Sequence, residues 1–362
     1  GTPRADPPLI RITRTEVPLP RLANVNSWSI RPRVDSITLP RFTRHRFPPN
    51  FADWGGAGVG AAKIANNMAS QRRFPKSDHC DGFRFFNPGT HVDRSLRDIL
   101  KWKRTSPVTP WPKTVAIDPP PVPTTPLDGT VSATWINHAT VLIQSRHANI
   151  LTDPLFSDRT SPVQWAGPKR VHPPAVALKD LPQIHVILLS HDHYDHCDSE
   201  SLRYFAKLPH PPIVVTPLGN GSLLKRFGFP EERIIELDWW EAHEFSHGFH
   251  VRASPARHWS NRLSGRRNRR LWSGFYLQVG GRTVYYTGDT AWDDYMFEEL
   301  RERCGEPDLA IIPIGAYEPR WFMAAQHCTP AEAVRIHQTV GASKSIGVHW
   351  GAFQLTDEGR DA

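Results

Sequence analysis

Cysteine is scarce in this chain, with four residues in 362 and no pair spaced as C-x-x-C. This scarcity argues against a disulfide framework or a cysteine zinc knuckle and favours a reducing compartment. Long apolar runs are also missing. No stretch approaches the roughly 18 apolar residues of a transmembrane helix, and the N-terminus lacks the apolar core of a secretory signal. We therefore expect a cytoplasmic protein.

Most of the chain carries little net charge. Of the net +8, residues 1–50 hold +6, from nine Arg, no Lys and three acids, which leaves +2 for the other 312 residues. A near-neutral body argues against a nucleic-acid partner. The first 50 residues also hold nine Pro and show no sustained periodicity. We predict a poorly ordered Pro/Arg-rich arm over residues 1–73 and one catalytic domain over residues 74–362.

One stretch, IHVILLSHDHYDH at residues 184–196, combines a short apolar run with a dense polar cluster. The apolar part, entered from a proline, predicts a buried strand. His191 and His193 are two residues apart, so in an extended segment they point the same way. Asp195 and His196 follow where the chain must bend and can face a second point nearby. This spacing suits two metal ions better than one.

Short strands alternate with helices from about residue 131 to the end of the chain. Asp198 predicts an N-cap just after the polar cluster, and Thr329 with Glu332 forms a capping box that starts a later helix, which Gly341 ends. Alternating elements in two similar halves predict an α/β sandwich, with helices outside two central sheets.

Three further polar residues follow predicted strands in the second half: His258, Asp289 and His349. Singly, such a histidine is more often a surface residue, and Gly-Asp is more often a turn. Together with the four residues at 191–196 they form an ordered His/Asp set, the donor types that bind divalent metals.

This ordered set resembles the seven-ligand pattern of the metallo-β-lactamase superfamily. The resemblance implies a metallo-β-lactamase-type αββα sandwich with one metal at His191, His193 and His258 and another at Asp195, His196 and His349. Asp289 would bridge the two metals and take part in catalysis. The resemblance implies two zinc ions per chain, and the absence of a cysteine ligand leaves manganese and iron open. Two divalent ions with two carboxylates and one hydroxide leave a single positive charge, which suits a phosphodiester.

Further segments resemble the bacterial form of the N-acyl-phosphatidylethanolamine-hydrolysing phospholipase D family, over roughly residues 74–358. The segments are DGFRFFNPG (81–89), NHATVLIQ (137–144), ILTDPLFSDRTSPVQWAGPKR (150–170), LSHDHYDH (189–196), PARHW (255–259), YTGDT (286–290), PIGAYEPRWFM (313–323), TPAEAVRIH (329–337) and VHWGAFQLTDE (348–358). Members of this family are zinc enzymes, often homodimers, that cleave N-acyl-phosphatidylethanolamine to an N-acylethanolamine and phosphatidic acid at a membrane surface.

The family resemblance implies roles for residues outside the metal ligands. His327 corresponds to an active-site histidine, and Gln326 and Tyr194 would line the substrate pocket. The segment RLSGRRNRR at 262–270 departs from the family, because it holds five Arg where an acidic residue is expected. Its two interpretations are a solvated loop and a phosphate contact, the latter through Arg262 and Arg267.

The resemblance predicts phosphodiester hydrolysis of a phospholipid, with peripheral membrane contact and a homodimer. Family members continue past the position of Ala362, so a C-terminal truncation is expected. A lactonase or other ester hydrolase of the same fold is the main alternative. A ribonuclease would need a basic platform that the near-neutral body does not offer, and a non-catalytic scaffold would need a broken ligand set.

Overall fold

The computed structural model describes residues 9–13, 37–38, 73–89, 94–120, 124–126, 129–262 and 267–361. The predicted arm, residues 1–73, therefore lies outside the described residues except for two short strands and its last residue. The sequence did not predict these two strands. The boundary between arm and domain stays a prediction.

Fourteen strands of the described residues form two mixed sheets. The first sheet has the order β2-β1-β3-β4-β5-β6-β7-β8 and the second has the order β14-β13-β12-β11-β10-β9. The strands of the first sheet are β1 (Leu9–Thr13), β2 (Ile37–Thr38), β3 (Val131–Asn137), β4 (Thr140–Gln144), β5 (Asn149–Thr152), β6 (Val186–Leu188), β7 (Ile213–Pro217) and β8 (Ile234–Leu237). Those of the second are β9 (Ala242–Glu244), β10 (His250–Ser254), β11 (Gly274–Val279), β12 (Arg282–Tyr286), β13 (Leu309–Pro313) and β14 (Ser345–Val348).

Six α-helices in the described part of the chain accompany the sheets. They are α1 (Leu96–Thr105), α2 (Ser199–Ala206), α3 (Gly221–Phe227), α4 (Met296–Cys304), α5 (Arg320–Met323) and α6 (Pro330–Val340). Helices α2 and α3 pack on the outer face of the first sheet, and α4 and α6 pack on the outer face of the second. The layers confirm the predicted αββα sandwich. No helix in the described part of the chain is long and apolar enough to cross a membrane.

The side chains of one strand alternate between two apolar cores. In β6, Val186 and Leu188 point into the core between the sheets, whereas Ile187 points into the core beneath α2 and α3. Strand β4 divides its residues in the same way, because successive side chains leave a strand on opposite faces. Strand β6 is thus buried on both faces, which explains why it is continuously apolar.

The predicted caps form as the sequence indicates. The Asp198 carboxylate accepts hydrogen bonds from the first backbone N–H groups of α2, and Thr329 forms its capping box with Glu332 at the start of α6. The sequence also predicts a helix near residues 292–303, and the observed helix α4 begins later, at Met296. The reason is that the Asp293 carboxylate accepts from the N–H groups of Tyr295 and Met296 and holds the preceding residues in a turn.

Several strands of both sheets end at the same edge of the sandwich, and polar residues follow them there. Asp153 follows β5, and the 190–196 segment follows β6. Asp289 lies just past β12, and His349 directly follows β14. The fold therefore gathers at one edge residues that are up to 196 positions apart in the chain.

Candidate metal centre

Three imidazoles from both halves of the sandwich converge on one point. His193 Nδ1 lies 2.9 Å from His191 Nε2 and 3.1 Å from His258 Nε2. The histidines at 191 and 193 come from the loop after β6, and His258 comes from the segment after β10. Their donor atoms lie within 4.8 Å of one another, close enough to share one ion.

A second group of donors lies beside the first. Asp195 Oδ2 lies 3.1 Å from His349 Nε2 and 3.5 Å from His196 Nε2. A fourth member, His138, was not predicted from the sequence. Its Nε2 lies 3.3 Å from the same carboxylate oxygen. All four residues offer a donor atom within the same 4.8 Å range.

Asp289 lies between the two groups. Its Oδ2 is 3.0 Å from His196 Nε2 and 3.1 Å from His349 Nε2 on one side. On the other side it is 3.7 Å from His258 Nε2 and 3.9 Å from His191 Nε2. The side chain is almost completely buried. The structure thus brings all seven predicted ligands together, with the predicted bridging residue in the middle.

The electrostatics of the cluster keep its carboxylates ionised. Burial would raise the pKa of Asp289, but the neighbouring imidazoles of His196 and His349 outweigh it, and the pKa lies well below the ordinary value. The pKa of Asp195 is also lowered well below its ordinary value, because His196, His138 and His349 outweigh burial. Burial lowers the pKa of His191 and that of His258, which favours neutral rings that can bind a metal.

The donor set fits divalent metal ions. Two of its buried atoms, Asp289 Oδ1 and His196 Nε2, have no hydrogen-bond partner among the described residues. Such atoms are costly to bury and usually have an explanation. A cation between the imidazoles and carboxylates would satisfy them. Nitrogen and carboxylate donors without a thiolate suit zinc and do not exclude manganese or iron.

Two further contacts orient the histidines. His196 Nδ1 lies 2.6 Å from Asp153 Oδ2, which leaves Nε2 to face Asp289. His258 Nδ1 donates to the backbone carbonyl of Gln326 at 2.9 Å. Such contacts to the second ring nitrogen fix the tautomer and the orientation of a metal-binding histidine.

Asp153 is a residue whose role the sequence analysis missed. Its carboxylate accepts from the Ser190 backbone at 2.7 Å and from the Tyr286 hydroxyl of β12 in the second sheet. Its position directly after a buried strand is the signal that could have identified it. The position of His138 is a weaker sign of a role in the site, because this residue lies in the turn between β3 and β4. Its φ is positive, at 45°.

Two arginines hold the 190–197 loop in place. Arg262 Nη1 donates to the carbonyls of Asp192 and Cys197, both at 2.8 Å, and its guanidinium lies 4.0 Å from the Tyr194 ring centroid. Arg270 Nη1 pairs with the buried Asp192 carboxylate at 2.8 Å. Arg262 therefore contacts the backbone of the loop. Its role in substrate binding stays a prediction.

A cavity of about 190 Å³ adjoins the first donor group. His258, Gln326, Trp259, Trp292 and Arg267 are among the residues that line it. The Arg267 guanidinium lies 4.3 Å from the Trp259 ring centroid. Aromatic and cationic side chains thus line a cavity beside the donor cluster.

His327 lies close to both donor groups. Its ring centroid is 5.0 Å from that of His258 and 5.4 Å from that of His349. Its Nδ1 is buried without a hydrogen-bond partner among the described residues. Burial is the largest influence on its pKa and lowers it to about 4, so the ring is neutral near pH 7.

A profile of the beta-lactamase superfamily domain matches residues 148–350, more than half of the chain. The chain belongs to the beta-lactamase superfamily. The matched residues contain all seven predicted ligands.

Curated relatives in this superfamily share a narrower name. The chain is 41% identical over 229 residues to N-acyl-phosphatidylethanolamine-hydrolyzing phospholipase D 1 of Caenorhabditis elegans, over 62% of this chain and 64% of that protein. It is 34% identical over 230 residues to the mitochondrial N-acyl-phosphatidylethanolamine-hydrolyzing phospholipase D of Saccharomyces cerevisiae, over 62% of this chain and 48% of that protein. The matches thus span about half to two thirds of these relatives.

Solved structures with the superfamily fold are more distant in sequence. One is a possible metal-dependent hydrolase from Veillonella parvula, with 19% identity, a TM-score of 0.50, and coverage of 63% of this chain and 89% of that one. At this identity the likeness shows the fold alone, and it agrees with the two-sheet sandwich.

Proposed function

We propose that this chain is a metal-dependent hydrolase that cleaves the phosphodiester of N-acyl-phosphatidylethanolamine, giving an N-acylethanolamine and phosphatidic acid. The observation that carries the proposal is the position of Asp289 Oδ2 between two groups of donors, each able to hold one ion. The names of the two curated relatives support this substrate class.

In this proposal one zinc ion would be held by His191, His193 and His258, and the other by Asp195, His196 and His349, with Asp289 available to both. Two such ions, when bound, activate water and stabilise the charge that develops on the phosphoryl oxygens. With both ions bound, the histidine ligands would be neutral and the two carboxylates ionised, so a loaded site would keep a small positive charge that attracts a phosphodiester anion.

His327 holds a proton for the leaving group in the proposed reaction. Its ring is neutral near pH 7, so one ring nitrogen carries a hydrogen and the other does not. Nδ1, which has no partner among the described residues, can donate a hydrogen bond to the ethanolamide oxygen as the P–O bond breaks. The burial of His327 excludes water from this position.

The adjoining cavity would take the polar part of the lipid. Arg267 and Trp259 offer a cation and an aromatic face within the cavity wall, and Gln326, whose carbonyl accepts from His258, lines the same cavity. Tyr194, under the Arg262 guanidinium, completes the substrate side in this proposal. Peripheral contact with a membrane belongs to the same proposal, and the homodimer expected from the resemblance stays a prediction.

Hydrolysis in water labelled with heavy oxygen tests the bond that is cleaved. Attack on phosphorus places the label in phosphatidic acid and leaves the N-acylethanolamine unlabelled. Label in a released fatty acid would show carboxyl-ester chemistry and would support the lactonase-type alternative. The His327→Ala variant, loaded with metal to the same content, is the matched control and should release the same labelled product more slowly.

A further inference from the structure

Helix α1 exposes large aliphatic side chains on the surface of the molecule. Ile99 is 40% exposed and Leu100 is 63% exposed. In contrast, Trp102 of the same helix points inward and packs against Phe322 and Met323 of α5. Among the described side chains of the helix, Trp102 is therefore an anchor, whereas Ile99 and Leu100 face solvent.

The same surface carries an excess of positive charge. Five cations lie on α1 or just before it: Arg94, Arg97, Lys101, Lys103 and Arg104. The one acid of the helix, Asp98, forms the capping box with Ser95 at the N-terminus. The acid is thus engaged with the backbone, and the outer face of the helix is cationic.

A tryptophan of α5 extends this surface. Trp321 is 37% exposed, and its ring centroid lies 4.8 Å from Lys101 Nζ and 5.6 Å from the Arg94 guanidinium carbon. We call the exposed residues of α1 together with Arg94 and Trp321 the α1 face. Aliphatic residues, a tryptophan and several cations on one face are typical of helices that lie in a membrane interface.

The α1 face adjoins the approach to the donor cluster. Arg94 Nε donates to the Phe322 carbonyl at 3.3 Å, and Arg267 of the cavity wall donates to the Arg94 carbonyl at 3.5 Å. The backbone N–H of His327 donates to the Met323 carbonyl at 3.0 Å. A surface that rests on α1 would therefore lie next to the cavity that leads to His258.

We propose that the α1 face docks this protein on a bilayer that contains anionic lipid. Charge complementarity favours such a partner, because each basic residue near an anionic surface adds attraction. A second copy of the chain is disfavoured, since a symmetric contact would place five cations against five. Nucleic acid would pair with the cations but would leave Ile99 and Leu100 in water. The docking proposal rests on the proposed function only for the reason why the protein would bind a bilayer, namely that its substrate is a lipid.

Vesicle sedimentation with the full chain tests the docking directly. Wild-type protein should bind vesicles of phosphatidylcholine with phosphatidylglycerol more tightly than vesicles of phosphatidylcholine alone. Leu100→Asp should weaken binding to the anionic vesicles roughly tenfold, since it removes apolar area and adds a repelled charge. Arg97→Glu should weaken it by a similar factor, and salt should weaken wild-type binding.

Matched controls lie on other helices. Val334→Asp changes a 48% exposed residue of α6, and Arg226→Glu changes an exposed arginine of α3. Both should bind vesicles within about twofold of wild type, because surface changes away from the contact have small effects. Turnover of a small water-soluble phosphodiester should be equal in Leu100→Asp and Val334→Asp, which separates docking from chemistry.

Equal vesicle binding by Leu100→Asp, Arg97→Glu and the two controls would overturn the proposal. Wild-type binding to an RNA oligonucleotide but not to anionic vesicles would overturn it in favour of nucleic acid. A concentration-dependent dimer that Leu100→Asp dissociates, without vesicle binding, would overturn it in favour of a second copy. Failure to hydrolyse any phosphodiester, with vesicle binding as expected, would contradict the proposed function alone.

Discussion

The two halves of the sandwich supply their proposed ligands in different ways. The first half offers four of them within six residues of one loop, from His191 to His196, whereas the second half offers His258, Asp289 and His349 from three separate strand ends. The loop is recognisable in sequence because its residues are adjacent. The second-half residues become a group only when strands β10, β12 and β14 end at the same edge.

The contiguous loop nevertheless depends on the second half for its shape. Arg262 and Arg270 follow β10, and they hold the loop through the carbonyls of Asp192 and Cys197 and through the Asp192 carboxylate. Tyr286 of β12 donates to Asp153, which orients His196. A motif that is local in sequence is therefore held by tertiary contacts, and each contact can be removed separately.

The largest effect is expected at Asp289, which touches both donor groups. Asp289→Asn replaces a charged bridge by a neutral amide, so it should weaken both proposed ions and lower phosphodiester turnover roughly a thousandfold. His258→Ala should mainly disturb one ion. Metal content and kcat measured on both variants check this difference. Equal, mild losses of metal in the two variants would contradict the bridging position.

The next largest effect is expected for the loop's salt bridge. Arg270→Met keeps the length of the side chain but leaves the Asp192 carboxylate, with 1% of its side chain exposed, without its partner. Breaking such a pair should lower the free energy of unfolding by about 3 kcal/mol. Denaturant unfolding measures this change. The double variant with Asp192→Asn should recover part of the loss, and no recovery would show that Arg270 acts elsewhere.

A smaller effect is expected for the contact that orients His196. Asp153→Asn should reduce metal affinity by about 10- to 100-fold, because residues that orient a metal-binding histidine contribute that much. Tyr286→Phe removes one donor to Asp153 and should reduce affinity less. Competition with a chromophoric chelator measures both. A Tyr286→Phe loss larger than that of Asp153→Asn would rule out the orienting role of the carboxylate.

The smallest effect concerns the segment that supports the second half. Asn87 Nδ2 donates to the His258 carbonyl at 2.9 Å, and His79 of the same segment lies between Asp238, at 2.7 Å, and Asp78, at 2.6 Å. Burial opposes the charge on His79, but the two carboxylates outweigh it, and its pKa is raised above 6.5. The charged pair should stabilise the fold by about 1 kcal/mol.

The sign of this pH dependence follows from the raised pKa. The stabilisation is fully present below the unfolded pKa of His79 and is lost as pH rises through the folded pKa. The difference in Tm between wild type and His79→Gln should therefore be larger at mildly acidic pH than at alkaline pH. Thermal unfolding of both proteins across this range checks it. A difference that grows with pH would contradict the assignment of the raised pKa to His79.

Hydrophobic periodicity and helix-capping residues allowed most of the fold to be predicted from the sequence. Strand β6 was predictable because it is short, apolar and followed at once by polar residues, and α6 because Thr329 and Glu332 form a local capping box. The two short strands at 9–13 and 37–38 were not predicted, because their pairing with distant strands is not encoded locally. The helix predicted near residue 292 begins at Met296 instead, because the Asp293 carboxylate accepts from the Met296 N–H. Helix propensity does not reveal such a contact.

The seven proposed ligands were predictable because their order along the chain is a known pattern. The residues that support them were not, and for a physical reason. His138 reaches Asp195 only through the turn between β3 and β4, and Arg270 reaches Asp192 only across the fold. Such contacts depend on distances between segments far apart in sequence. The arginines of the segment at 262–270 stand out in the sequence. The contacts of Arg262 and Arg270 to the loop could be seen only in the structure.

Elemental analysis of the purified, zinc-reconstituted full chain tests the central claim most directly. The account predicts close to two zinc ions per chain for wild type, and about one for His258→Ala. A wild-type content that stays near zero after reconstitution, or that saturates at one ion, would contradict a centre built from two groups of donors around Asp289.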